Sequence, residues 1–106
     1  MYQPISYHNK THAADVCQTM YFYINKCDFR LLGALSDLEL FVTIISPLVH
    51  DTDHPGFNNP FMVASKDKLA LRYNDRSVLE NHHIAIAFDT MLTDPESKIY
   101  ENFDDS

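Results

Sequence analysis

A bundle of α-helices is the fold class the sequence predicts, and three observations carry that expectation. Apolar residues recur at three- and four-residue spacing over long stretches, as one buried face of a helix requires. Start and stop signals of helices flank those stretches. Only 2 glycines occur in the 106 residues, which disfavours a loop-rich or many-turned β architecture. A chain of this length forms one domain at most and buries roughly 65% of the surface its unfolded form exposes.

The first helix is expected from Thr11 to about Asn25, where Ala13, Val16, Cys17, Met20, Phe22 and Ile24 make an amphipathic pattern. Gly33 and Ser36 then punctuate the chain. The run "SDLE", Ser36 to Glu39, has the form of a capping box, in which the Ser hydroxyl accepts a free amide and Glu39 reaches back. A second helix therefore starts near Asp37 and carries Leu38, Leu40, Phe41, Ile44, Ile45 and Leu48 toward His50. Pro47 lies inside it, where it removes one backbone hydrogen bond and clashes with the preceding turn, so the helix is expected to kink or stop there. "HPGFNNP", His54 to Pro60, is dense in turn formers and reads as a loop. Ser65 is expected to cap a short third helix through Leu71. Ser77 with Glu80 forms a second capping-box pattern, opening a fourth helix through Ala87 to about Leu92. Asp94 and Pro95 end it, and the acidic tail "ENFDDS" is expected to fray.

Hydrophobic content of 45% with 22% charged residues is that of a soluble globular protein. The formal charge of -7 disfavours a nucleic-acid polymer or an anionic membrane as partner, since either needs a basic patch. An anionic small substrate would need local positive charge, which the 8 Lys and Arg residues do not concentrate anywhere. The N-terminal "MYQPISYHNK" lacks the apolar core of a signal peptide, and the longest apolar run, Leu40 to Val49, is about half the length that spans a bilayer. No transmembrane segment and a cytoplasmic, intracellular location are expected. Cys17 and Cys27 read as small core hydrophobes rather than as a disulfide.

Chemistry concentrates in "LVHDTDHPG", Leu48 to Gly56, which places His50, Asp51, Asp53 and His54 directly after an apolar run. Ionisable groups so placed normally sit on water, on opposite charge or on a metal. His50 and Asp51 could both reach one ion off the helix end, imidazole suiting zinc and a carboxylate able to bridge to a harder ion such as magnesium; a surface helix terminus explains the pair as well. Asp53 or His54 could orient such a ligand. His8 and His12, four apart, project from one face if the first helix begins early enough, and either serve one site or mark a frayed helix start. They are not the zinc-protease pattern, because Asn9 stands where that needs a Glu. Glu80 and His83, three apart, share a face, whereas His82 points elsewhere and reads as structural. Glu80 is equally explained by the capping box.

Three blocks, "YHNKTHAADV" at Tyr7 to Val16, "HDTDHPG" at His50 to Gly56 and "LALRYNDRSVLENHH" at Leu69 to His83, resemble the class I 3′,5′-cyclic nucleotide phosphodiesterases in this order. The resemblance covers the chain from about Ser6 to Phe103. It implies an all-α, HD-type catalytic domain acting in signal transduction, with two divalent metal ions, Zn2+ and Mg2+ or Mn2+, and a cyclic nucleotide, cAMP or cGMP, as substrate. Carried over by position, it makes His8 the general acid that protonates the departing 3′ oxygen and His12, His50 and Asp51 metal ligands, the aspartate bridging both ions. Tyr7 matches a pocket-wall tyrosine, and His54, Glu80 and His83 match groups beside the ligands or the phosphate.

The resemblance also has gaps. The family's catalytic domain is longer, and its fourth metal ligand, its purine-gripping glutamine and its stacking aromatic lie downstream of everything present. Asp94, Asp104 and Asp105 stand in the wrong context to substitute. Pro47 stands where the family usually keeps a small, helix-compatible residue. Residues 1–106 are therefore read as a catalytic domain truncated at its C-terminus. A non-catalytic remnant that binds metal or a partner chain is the alternative, and a more distant metal-dependent phosphohydrolase lacks the first and third blocks. The isolated 106 residues are expected to be weakly active or inactive; hydrolysis of cyclic AMP at rates like those of full-length family members would refute this.

Overall fold

The computed structural model describes residues 1–27 and 35–100, and the chain adopts the all-α architecture that its spacing predicts. Among these residues there are five α-helices, α1 (Lys10–Lys26), α2 (Asp37–Val49), α3 (Asn59–Ala64), α4 (Lys68–Arg72) and α5 (Val78–Thr93), then a 3-10 turn at Pro95–Ser97. No strand occurs among them. None of these helices is long and apolar enough to cross a membrane. The expected turn at Gly33 and the acidic tail from Glu101 lie outside the described residues.

Each helix start has a local cause. Asn9 caps α1, its side-chain oxygen accepting the amides of Thr11 at 2.9 Å and His12 at 3.3 Å. Ser36 and Glu39 form the full capping box of α2, with the Glu39 amide donating to the Ser36 hydroxyl and Glu39 accepting the Ser36 amide at 2.8 Å. Of the kink or stop expected at Pro47, the stop does not occur: α2 runs two residues further, to Val49. Pro47 sits in the last turn, where the missing amide costs one bond and only two helical residues follow, and its ring is buried.

The middle of the chain departs most from the expected layout. Asn59 and Pro60 belong to α3 rather than to a loop: Asn58 caps it through the Phe61 amide at 3.0 Å, and Pro60 occupies the first turn, where no amide is needed. Ser65 does not open a helix through Leu71. It closes α3, and Asp67 starts α4 by accepting the Leu69 amide at 2.8 Å, with Lys66 between them at φ 54.

Ser77 does not cap α5 with its side chain either. Its backbone is left-handed (φ 42), whereas a capping side chain needs an extended backbone to face the first amides. Asn59, 20 residues away in sequence, supplies the cap by accepting the Leu79 amide at 2.9 Å.

Packing makes two groups. Helix α1 lies along α2. Met62, Leu69, Ala70, Val78 and Leu79 from α3, α4 and α5 form a buried cluster, flanked by Val63 and Tyr73. The loop from His50 to Asn58 joins the groups, and α2 and α5 flank an apolar groove of about 590 Å³ that includes Phe41, Ile45, Ile84 and Phe88 and reaches His50 and Glu80. Replacing Ser36 by Ala is expected to lower stability by about 1 kcal/mol, read as a shift of the urea unfolding midpoint with unchanged slope.

Candidate metal centre

Asp51 lies just beyond the end of α2, half-buried, and its carboxylate is where separate parts of the chain meet. His12, from the first turn of α1, places Nε2 3.2 Å from Asp51 Oδ2. His50 places its own Nε2 3.1 Å from that oxygen. His83, from the buried face of α5, points Nε2 at the other oxygen, Oδ1, from 3.8 Å. Two sets of three side chains, His12 with His50 and Asp51, and His54 with His83 and Asp51, have ligand atoms all within 4.8 Å of one another.

Backbone carbonyls decide which ring nitrogens face the carboxylate. His50 Nδ1 lies 2.8 Å from the Pro47 carbonyl and His83 Nδ1 2.6 Å from that of Thr52. A carbonyl only accepts, so each Nδ1 carries its hydrogen and, in the neutral ring, each Nε2 presents a lone pair. A lone pair 3.1 Å from a carboxylate oxygen is two acceptors in contact. Only positive charge between them, an added proton or a cation, makes that contact favourable. Imidazole lone pairs fixed through the opposite nitrogen and aimed at a shared carboxylate are the donor set a divalent metal takes. The residues present therefore fit such an ion.

The other residues singled out in the sequence fall around this centre. His8 is half-buried and stacks on the buried His54 at 4.0 Å between ring centroids, with planes 13° apart. Burial pushes His54 below the usual histidine value, and the neighbouring His8 adds to this. Its Nδ1 accepts the Gly56 amide at 2.9 Å, so the neutral ring holds its hydrogen on Nε2. Burial likewise lowers His83, against the opposing pull of the Thr52 carbonyl and Asp51. Tyr7 is exposed at the rim, its ring 4.8 Å from His8 and 4.9 Å from His12.

Glu80 does not serve the capping box with Ser77. Its two carboxylate oxygens accept from Asn59 Nδ2, at 2.9 and 3.2 Å, which holds it below the ordinary glutamate value.

Several contacts around the centre join residues far apart in sequence. Thr52 is fully buried, and its carbonyl orients His83 across 31 positions of sequence. His82 is buried and pairs through Nε2 with Asp53 Oδ2 at 2.8 Å. Burial alone would raise the Asp53 carboxyl, but hydrogen bonds from Gln3 and His82 hold it below its usual value. Asn59 both caps α5 and ties Glu80. Its place in an Asn-Asn-Pro run gives a turn signal but no hint of that reach.

Comparison with known proteins adds to this geometry. The family model described as 3'5'-cyclic nucleotide phosphodiesterase matches residues 7–106. Over 102 residues the chain is 44% identical to the high affinity cGMP-specific 3',5'-cyclic phosphodiesterase 9A of Drosophila melanogaster, covering 96% of this chain and 6% of that protein. It is 44% identical to 3',5'-cyclic-AMP phosphodiesterase 4 of Dictyostelium discoideum over 94% of this chain and 9% of that protein. For the 3',5'-cyclic-nucleotide phosphodiesterase regA of the same organism the identity is again 44%, over 93% and 12%. The phosphodiesterase domain of the RhoPDE fusion protein from the choanoflagellate Salpingoeca rosetta superposes with a TM-score of 0.82 at 38% identity, over 98% of this chain and 32% of that one. The chain thus spans a small part of each relative's length.

The Asn59–Glu80 contact has a pH signature. A carboxyl held low in the folded state contributes stability that is present above its unfolded value and is lost as pH falls through the folded value. Asn59→Ala is therefore expected to be less stable than the parent chain at pH 7. The gap should narrow as pH drops below the ordinary glutamate value of 4.5, leaving the loss of the Leu79 cap. Unfolding curves at neutral and acid pH check this; a gap independent of pH would show that the carboxylate contributes nothing.

Proposed function

The chain belongs to the 3'5'-cyclic nucleotide phosphodiesterase family, and from that premise we propose that the protein carrying it hydrolyses a 3′,5′-cyclic nucleotide to the 5′ monophosphate. Residues 1–106 then make up one part of the catalytic domain. The observation that carries the reading is the convergence of His12 Nε2 and His50 Nε2 on one Asp51 oxygen, at 3.2 and 3.1 Å.

In this reading His12, His50 and Asp51 would hold divalent metal, the imidazoles suiting zinc and the carboxylate suiting magnesium or manganese. Such ions supply a nucleophile usable at neutral pH and offset phosphate charge. They also answer the difficulty an anionic substrate meets at a chain of net charge -7. Asp51 and the fixed tautomers of His50 and His83 hold the ligand atoms in place before anything binds.

His8 is the general acid. A cyclic phosphodiester opens when its bond to the 3′ oxygen breaks, and the oxygen needs a proton as it leaves. An imidazole titrates near neutrality and can carry that proton at working pH. The stacked His54 is held below the usual histidine value by burial and by His8 beside it. Tyr7 at the rim and Glu80 beside His50 border the space the nucleotide enters.

The relatives named for cyclic GMP and for cyclic AMP match this chain at the same 44% identity. That equality favours neither base. A location inside the cell accompanies the proposed role in cyclic nucleotide signalling.

Two outcomes follow. Purified chain should contain zinc, and His50→Ala should contain much less; equal zinc in both counts against the ligand assignment. In a protein carrying the complete domain, His8→Asn should lower kcat by about 10²–10⁴ toward a cyclic nucleotide. The loss should be much smaller toward a nitrophenyl phosphodiester, whose leaving group needs no proton. Equal losses on both substrates would assign His8 another role.

A further inference from the structure

The residues before the matched family region grip the centre from outside. The Tyr2 hydroxyl donates to the Leu48 carbonyl at 2.9 Å, three positions before Asp51. The Asp53 amide donates to the Met1 carbonyl at 2.8 Å, and Gln3 Nε2 donates to Asp53 Oδ1 at 2.5 Å, both two positions after it. The same run is fastened at its other end to the helix that carries His12. Asn9 Nδ2 donates to the Ile5 carbonyl at 2.8 Å, while Asn9 Oδ1 accepts the amide of His12 itself.

We propose that residues 1–5 form a brace that sets the approach of Asp51 to His12, with Gln3 and Tyr2 as its positioning side chains. The proposal rests on the reading of His12, His50 and Asp51 as cation ligands. Its physical basis is that α1 and the 50–56 loop belong to elements far apart in sequence, and a ligand cage is only as well defined as the distance between its two halves. The loop cannot define that distance alone. Asp53 (φ 56) and Gly56 (φ 89) both have left-handed backbones, so its path depends on ties from outside. Tyr2 fixes the loop's entry, Met1 and Gln3 fix its exit, and Asp51 lies between. Gln3 also ties the loop to α5, because the Asp53 carboxylate it holds pairs with His82 there. The family match starts at residue 7, so residues 1–5 lie outside it.

The test uses the whole chain, Co2+ as the probe, and visible absorption as a report on ligand geometry. Gln3→Ala, Tyr2→Phe and the double variant are compared with the parent and with His50→Ala, and thermal unfolding of each is followed without metal. The expected result is roughly tenfold weaker Co2+ binding in Gln3→Ala and more in the double variant. The absorption band should change shape while the metal-free unfolding midpoint moves by only a few degrees. Parent-like affinity and spectrum in the variants overturn the brace and leave the ligand assignment standing. Failure of the parent to bind Co2+, or parent-like binding by His50→Ala, overturns the assignment and the brace together. Should the double variant not fold, Gln3→Ala decides, since Gln3 is an exposed residue whose loss removes one surface hydrogen bond.

Discussion

The carboxylate of Asp51 is the constraint around which this chain is arranged. One half-buried carboxylate faces imidazole nitrogens from α1, from the end of α2 and from α5. At least two of those nitrogens present lone pairs, because their partner nitrogens are committed to backbone carbonyls. Acceptors gathered in this way repel one another unless positive charge joins them. The chain tolerates that repulsion because helix packing, capping and buried hydrogen bonds hold the segments independently of the centre. The cost is local, and a bound cation would remove it.

Rigid support is divided among unlike devices. The α1 end is held by Asn9, which caps the helix and so fixes the backbone on which His12 stands. The α2 end is held by Pro47, whose ring is buried and whose carbonyl receives the His50 hydrogen. A proline at this place loses one amide but keeps its carbonyl, and the carbonyl is the part the site uses. On the α5 side, Asn59 caps the helix from a neighbouring element and holds Glu80 in the same gesture. Fold and site are thus not separable here, since the groups that terminate helices are also those that aim the histidines.

The sequence made legible what is decided within a few residues. Helix spacing and the Ser36–Glu39 box gave α1 and α2 nearly to their ends, because capping and amphipathicity act over one or two turns. The Ser77–Glu80 pattern is identical in type yet makes no box, since a left-handed backbone at Ser77 turns the hydroxyl away. That conformation is set by the turn Asn74 to Ser77 and by the distant Asn59, neither of which a four-residue pattern contains. One expected helix became α3 and α4 for a similar reason, as Asn58 with Pro60, and Asp67, each outcompeted Ser65 as a starting point. Among the chemical groups, the resemblance pointed to His8, His12, His50, Asp51, His54, Glu80 and His83. The Asp53–His82 pair and the hold of the Thr52 carbonyl on His83 depend on contacts 29 and 31 residues apart, and the tautomers on hydrogen positions, which no spacing encodes.

Asp53 shows what such layering means for sequence drift. Its left-handed backbone would accept glycine or asparagine with ease, and most other residues only under strain. Its two carboxylate oxygens are separately occupied, one by Gln3 and one by His82. Glycine satisfies the first demand and abandons the second; asparagine keeps one acceptor and turns the other into a donor, which Gln3 meets only by turning its amide over. The overlap of a backbone requirement with a side-chain requirement narrows the residues this position accepts, and any exchange there is felt at residues 3 and 82 together.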